Sequence, residues 1–270
     1  MNTKKISIVV CLLLVCFVLQ AQQFSRVVSL SPSLTKTIYF LQAQESLVGC
    51  TSYCIEGIAD NKSVVASPVT INVERVVGLK PDLVIATTIT NPKYIEMLRK
   101  FDFRVEVLPT PGSFNEICEQ FVYVGDLFGL EDSAVNMVSA IRSELRKLQS
   151  ARDFDSNKKI FFQIGADPLY AVTADSFMND YILFAGAQNI AEGFRKGTVS
   201  REAIVARNPD YIFIVTMGII GDDEKRIWQR FNDISAVKNN SIFIIDSDLA
   251  CTPTPQTFLE TMKIVFNYLK

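Results

Sequence analysis

Histidine is absent from all 270 residues, and no other feature of the chain excludes as much. Without it there is no Ser–His–Asp or Cys–His nucleophilic machinery, no His-based zinc site and no His to ligate haem iron. Tryptophan occurs once, at Trp228. No Gly-, Pro- or Ser-rich linker divides the chain, so a flexible tether between halves is not expected. There is no basic tract, and 27 basic side chains face 29 acidic ones. A mildly acidic chain of this kind is a poor partner for nucleic acid or an anionic membrane. Beyond the N-terminus, no apolar run approaches the ~20 residues that a membrane span requires.

The N-terminus itself reads as a targeting segment. Lys4 and Lys5 form a basic start, Ile6 to Leu19 is a short apolar stretch, and Leu19-Gln20-Ala21 offers a cleavage site. This is the pattern of a secretory signal peptide over residues 1–21. Cys16 offers a lipoprotein alternative, but Val15 is a poor match to the small residue that lipid attachment wants. A soluble exported protein is therefore expected. Removal of the segment leaves 249 residues, enough for two lobes with their own cores. It also removes Cys11 and Cys16, leaving Cys50, Cys54, Cys118 and Cys251. In an oxidising compartment Cys50 and Cys54 could pair across their short loop, or stand as isolated small apolar residues. Three residues separate them, so they are not a C-x-x-C motif.

What the chain does contain is a phrase written twice. Asn72-Val-Glu74-Arg-Val76-Val77-Gly-Leu-Lys80-Pro81-Asp82 leads into Leu83-Val84-Ile85. Ser200-Arg-Glu202-Ala-Ile204-Val205-Ala-Arg-Asn208-Pro209-Asp210 leads into Tyr211-Ile212-Phe213-Ile214. The copies lie 128 residues apart, about one small domain, which implies two related lobes. Each reads as a capped helix, a turn and a buried strand. Asn72 and Ser200 can accept a hydrogen bond from the first turn, and Glu74 and Glu202 suit the positive end of the helix dipole. Pro81 and Pro209 stop the helix and bias the residue before them toward extended backbone.

Strands alternate with helices elsewhere, which predicts an α/β fold of two Rossmann-like lobes with mainly parallel sheets. Strands are expected at Arg26–Leu30, Ser46–Gly49, Arg104–Leu108, Lys159–Gln163 and Ser241–Asp246. Helices are expected at Leu34–Leu41, Ile95–Phe101, Phe177–Phe184 and about Gln256–Tyr268. Loops are expected at Cys50–Cys54 and Gly165–Tyr170. Ser113-Phe-Asn-Glu116 is a capping box that opens a long helical run, with apolar residues continuing at three- and four-residue spacing to Leu148. The expected division is an N-terminal lobe over 22–112, a stiff linking helix over 113–150 and a C-terminal lobe over 151–270.

Arg26-Val-Val-Ser-Leu-Ser-Pro-Ser33, the stretch from Asn72 to Ile85, Val199-Ser-Arg-Glu202, Phe162-Gln-Ile-Gly165 and Ser247-Asp248 together resemble the periplasmic binding proteins of ABC importers for vitamin B12 and iron chelates. The likeness spans essentially the whole mature chain. It implies a monomeric carrier, not an enzyme and without a resident cofactor, holding a small-molecule ligand between two lobes joined by a long helix. It also implies docking on an inner-membrane permease through one Glu per lobe, which here are Glu74 and Glu202. The competing reading is that a first-turn Glu is simply good helix chemistry. The resemblance places ligand contacts at Tyr53, Thr87, Tyr170 and Lys196. Pro68, Thr87, Lys196 and Leu249 stand where corrinoid-binding members carry pocket tryptophans.

A corrinoid, haem and a ferric siderophore are thus the expected ligand classes. Haem would call on Tyr53 or Tyr170 as iron ligand, and an anionic siderophore on Arg195 and Lys196. A two-lobed enzyme, with Asp167, Asp175 and Asp248 near loops, and a periplasmic sensor remain the alternatives.

Overall fold

The computed structural model describes residues 24–67, 70–151, 157–194, 196–216 and 221–269. The expected signal segment, Pro68 and Arg195 lie outside them. Among the described residues no helix is long and apolar enough to cross a membrane. The chain falls into two compact units.

The first unit holds β1 (Val27–Ser29), α1 (Pro32–Phe40), β2 (Leu47–Thr51), α2 (Ile55–Ala59), β3 (Ser63–Ala66), α3 (Val73–Gly78), β4 (Leu83–Thr87), α4 (Pro92–Arg99) and β5 (Arg104–Leu108). Its sheet has the order β3-β2-β1-β4-β5, and β1 pairs in parallel with both β2 and β4. Val27, Val28 and every residue of β4 are buried, as a strand covered on both faces requires. The chain leaves β1 in one direction and reaches β4 on the other side. This creates a switch point at the carboxyl ends of those two strands. Neither α2 nor β3 is evident in the sequence, because their five- and four-residue lengths carry no readable period.

The expected single run after Ser113 is two helices, α5 (Phe114–Leu127) and α6 (Glu131–Ser150). Between them Gly129 adopts a left-handed φ of 66°, which glycine tolerates without steric penalty. Ser113 Oγ accepts from Glu116 N at 3.2 Å, as the capping box requires, but the Glu116 carboxylate reaches back to Gly112 N at 2.8 Å. Residues 108–121 belong with the second unit, 122–134 with the first, and the rest of long helix α6 with the second again.

The second unit continues with β6 (Lys159–Ala166), β7 (Leu169–Ala171), α7 (Asn179–Ala185), β8 (Gln188–Asn189), α8 (Arg201–Arg207), β9 (Tyr211–Val215), α9 (Gly221–Trp228), α10 (Ser235–Lys238), β10 (Ile242–Ile245), α11 (Ser247–Ala250) and α12 (Pro255–Tyr268). The order β10-β9-β6 is parallel, and β7 returns antiparallel along β6. The segment expected as a loop over Gly165–Tyr170 is therefore a tight hairpin, and Tyr170 sits in a strand. Trp228 is fully buried against Phe161, with ring centroids 5.7 Å apart, so it is core rather than binding surface.

The repeated phrase has the same construction in both units. Asn72 Oδ1 caps Arg75 N at 2.9 Å, and Ser200 Oγ caps Ala203 N at 3.2 Å. The residue before each proline is not extended, as its neighbour predicts, but left-handed: φ is 47° at Lys80 and 50° at Asn208. The left-handed turn ends the helix and still clears the proline ring. The aspartates tie each phrase to the first strand of its lobe. Asp82 accepts from Ser25 N and Arg26 N at 2.8 and 2.9 Å, and Asp210 accepts from Lys159 N at 2.9 Å. In return, Arg26 donates to the Leu79 carbonyl at 2.6 Å, and Lys159 to that of Arg207 at 3.4 Å. A basic residue at each strand start thus satisfies carbonyls left free at the helix end.

Candidate ligand-binding site

The carboxyl ends of the first sheet form a hollow of about 270 Å³. Leu30, Ser31 and Pro32 follow β1; Thr51 and Tyr53 follow β2; Ser67, Thr70 and Ile71 lie beyond β3. Thr87, Ile89, Thr90 and Asn91 complete it from β4, with Tyr94 behind them. Local hydrogen bonds fix these segments. Ser31 Oγ pairs with Ser33 Oγ at 2.9 Å, Ser67 Oγ with Thr70 Oγ1 at 2.9 Å, and Thr90 N donates to the Thr87 carbonyl at 2.9 Å. Asn91 caps α4 by accepting from Lys93 N at 3.0 Å. None of the described lining residues carries a charge. Hydroxyls, one amide and two phenols provide its polarity, so it suits a neutral group that donates and accepts hydrogen bonds.

Two of the expected contact residues meet here. Thr87 closes β4 and is buried, whereas Tyr53 stands on the rim with 63% of its surface exposed. Ile89 beside it is 78% exposed. An exposed Tyr and Ile bordering a polar hollow form a half-apolar rim for a flat ligand. Sequence reasoning missed Ser31, Thr51, Asn91 and Tyr94. For Ser31 and Thr51 the available signal was their place at the carboxyl ends of β1 and β2; Asn91 and Tyr94 lie further on, at the start of α4, and carry no such signal.

Tyr170 belongs to the second unit, as does Lys196. Tyr170 is 43% exposed and is flanked by two glycines. Gly165 is its partner across the hairpin, and a side chain at Gly197 would come within 2.1 Å of the Tyr170 ring. The ring therefore packs closely against Gly197 and keeps part of its surface exposed. Lys196, next to this glycine, is exposed. Leu249 lies half-buried in α11. The unit's larger hollow, about 820 Å³, is at the opposite end of β6, where Lys159 and Arg207 line it. Both cations are already committed. Lys159 donates to the Arg207 carbonyl, and Arg207 donates to the Ile190 and Glu192 carbonyls and stacks on Phe194. Size alone therefore does not mark a ligand site.

Glu74 and Glu202 are both exposed in the first turns of capped helices. The Glu202 carboxyl is held below the usual range by its own backbone N–H and by the Ser200 hydroxyl. Among the described residues, no group of three or more Cys, Asp or Glu is arranged to hold a metal ion.

Residues 27–249 match the periplasmic binding protein family model, and the chain belongs to that family. It is 30% identical over 241 residues to an uncharacterized ABC transporter substrate-binding lipoprotein of Bacillus subtilis (strain 168), covering 86% of this chain and 76% of that one. It is 27% identical over 252 residues to a vitamin B12-binding protein of Vibrio vulnificus (strain CMCP6), covering 92% and 91%. Among solved structures it matches a possible iron-binding, periplasmic solute-binding protein of Staphylococcus epidermidis at a TM-score of 0.80 and 26% identity. That match covers 91% of this chain and 98% of the other.

Proposed function

We propose that the chain is an exported ligand carrier of an ABC importer, and that its ligand is a flat, amide-bearing macrocycle of the corrinoid class. The observation that carries this reading is the uncharged, hydroxyl-rich hollow at the switch point of the first sheet. Corrinoid side chains are amides, which donate to and accept from Ser, Thr and Asn without needing a counter-ion. Haem and many siderophores are anionic at their edges and call for Arg or Lys, which this hollow does not offer. The named binding activity of the Vibrio vulnificus relative points the same way.

In this reading Tyr53 and Tyr170 both touch the ligand, Thr87 contributes its hydroxyl, and Lys196 lies at the edge. Glu74 and Glu202 meet the permease. The carrier performs no chemistry: binding and release are its whole cycle. Equilibrium titration with cyanocobalamin, hemin and a ferric catecholate siderophore tests it. Saturable binding of cyanocobalamin alone is the expected result. Preference for hemin or the siderophore would overturn the ligand class, and turnover of any of them would overturn the carrier.

A further inference from the structure

Cys50 and Cys54 flank the three residues that bring Thr51 and Tyr53 to the hollow. Cys50 lies in β2, and Cys54 precedes α2. Both are free thiols and fully buried. They share a hydrogen bond, and the Thr35 and Thr51 hydroxyls lie 3.1 and 3.2 Å from the Cys54 sulfur. The Cys54 N–H donates to the Thr51 carbonyl at 3.1 Å, folding the segment into a turn. Space for the pair is kept by Gly57, where an added Cβ would come within 2.7 Å of the Cys50 sulfur. Two neighbouring buried thiols, one of them bracketed by hydroxyls and the other in space cleared by a glycine, are arranged for more than packing.

We propose that Cys50 and Cys54 are a thiol–disulfide site, oxidised by a disulfide-bearing thiol oxidant of the exported compartment, whose closure pins the Tyr53 turn. The hydrogen bond from Cys50, followed by those of Thr35 and Thr51, outweighs burial and holds the Cys54 thiol below its ordinary value. Cys54 is therefore the thiolate that attacks. It bonds to one sulfur of the oxidant's disulfide and expels the other as a thiolate. The Cys50 sulfur, losing its proton, then attacks the Cys54 sulfur and expels the second thiolate. Two protein thiols give up two protons and two electrons, and the oxidant's disulfide becomes two thiols. Because both sulfurs are buried, the exchange occurs when the Thr51–Cys54 turn opens. The resulting ring contains only Thr51, Ser52 and Tyr53 between its cysteines.

The test uses the full mature chain with Cys118→Ala and Cys251→Ala, which removes every other pairing. The protein is refolded from urea in glutathione redox buffer, then unfolded with iodoacetamide and mapped by mass spectrometry. The expected product is an internal Cys50–Cys54 disulfide that resists iodoacetamide until dithiothreitol is added. Two alkylated cysteines, or glutathione held on one of them, would overturn the site. Chymotrypsin then reports on the turn. Tyr53 is exposed, and cleavage after it is expected to slow about tenfold or more in the oxidised form. Equal cleavage rates would overturn the pinning. Neither measurement uses the ligand, so both stand apart from the corrinoid reading.

Discussion

At the scale of single residues, the two copies of the repeated phrase act as controls for each other. Asn208 and Lys80 hold the same left-handed backbone, but only asparagine is suited to it. Lys80→Asn should therefore stabilise the protein by about 0.5–1 kcal/mol, and a denaturation midpoint that fails to rise would count against strain at this position. Asp82 makes a pH-dependent contribution. Burial pushes its carboxyl up, but the hydrogen bonds from Ser25 and Arg26 outweigh this and hold it below its usual 3.8. A depressed folded-state value gives stability that is present above the ordinary value and lost as pH falls through the folded one. On acidification from about pH 5 to about pH 3, wild type should lose more stability to urea than Asp82→Asn does. In the proposed carrier, Tyr53→Ala with Tyr170→Ala should weaken cyanocobalamin binding about tenfold or more, since each ring contributes ~0.5–1.5 kcal/mol beyond area burial. The melting temperature should fall little, because neither ring belongs to the buried core. A large drop in melting with normal binding would make them core residues instead.

At the scale of elements, the second lobe depends on a buried polar network between β6, α8 and α9. Glu224 accepts from Gln163 and from Arg201, both at 2.6 Å, and Trp228 donates to Gln163 at 2.7 Å. Arg201 also stacks on the Trp228 ring at 4.9 Å. Glu224→Ala should cost about 3 kcal/mol, because it strands a largely buried guanidinium. Glu224→Gln, which keeps a hydrogen-bonding side chain there, should cost clearly less; equal losses would show that the carboxylate charge, not the hydrogen bonding, holds the network. None of this network was legible in the sequence, since its members lie up to 65 residues apart. What was legible was local. The repeated caps, the buried strands after Pro-Asp and the helix ending at Gly186 each follow from a few adjacent residues. The hairpin carrying Tyr170 was not, because Asp167-Pro168 between short polar and apolar residues reads equally well as an open loop. Thr87 and Tyr53 were placed by family likeness. Their neighbours Ser31 and Asn91 become visible only once the strand order is known.

At the scale of the whole molecule, the same phrase that ends each lobe's helix also presents one exposed glutamate per lobe. Glu74→Ala with Glu202→Ala should leave cyanocobalamin affinity intact and weaken capture by the cognate permease in detergent or nanodiscs. Undiminished capture would leave the two glutamates as helix chemistry alone.

The way the chain is shared between its units also limits how it can be taken apart. Residues 122–134 complete the first unit, although residues 108–121 before them serve the second. Val124, Leu127 and Phe128 in that stretch are almost wholly buried. A gene fragment stopping after β5 would encode every strand of the first sheet yet omit these side chains. Such a piece should be recovered as aggregate rather than as a half-protein, and grafting a new ligand hollow onto this scaffold will require carrying both stretches along.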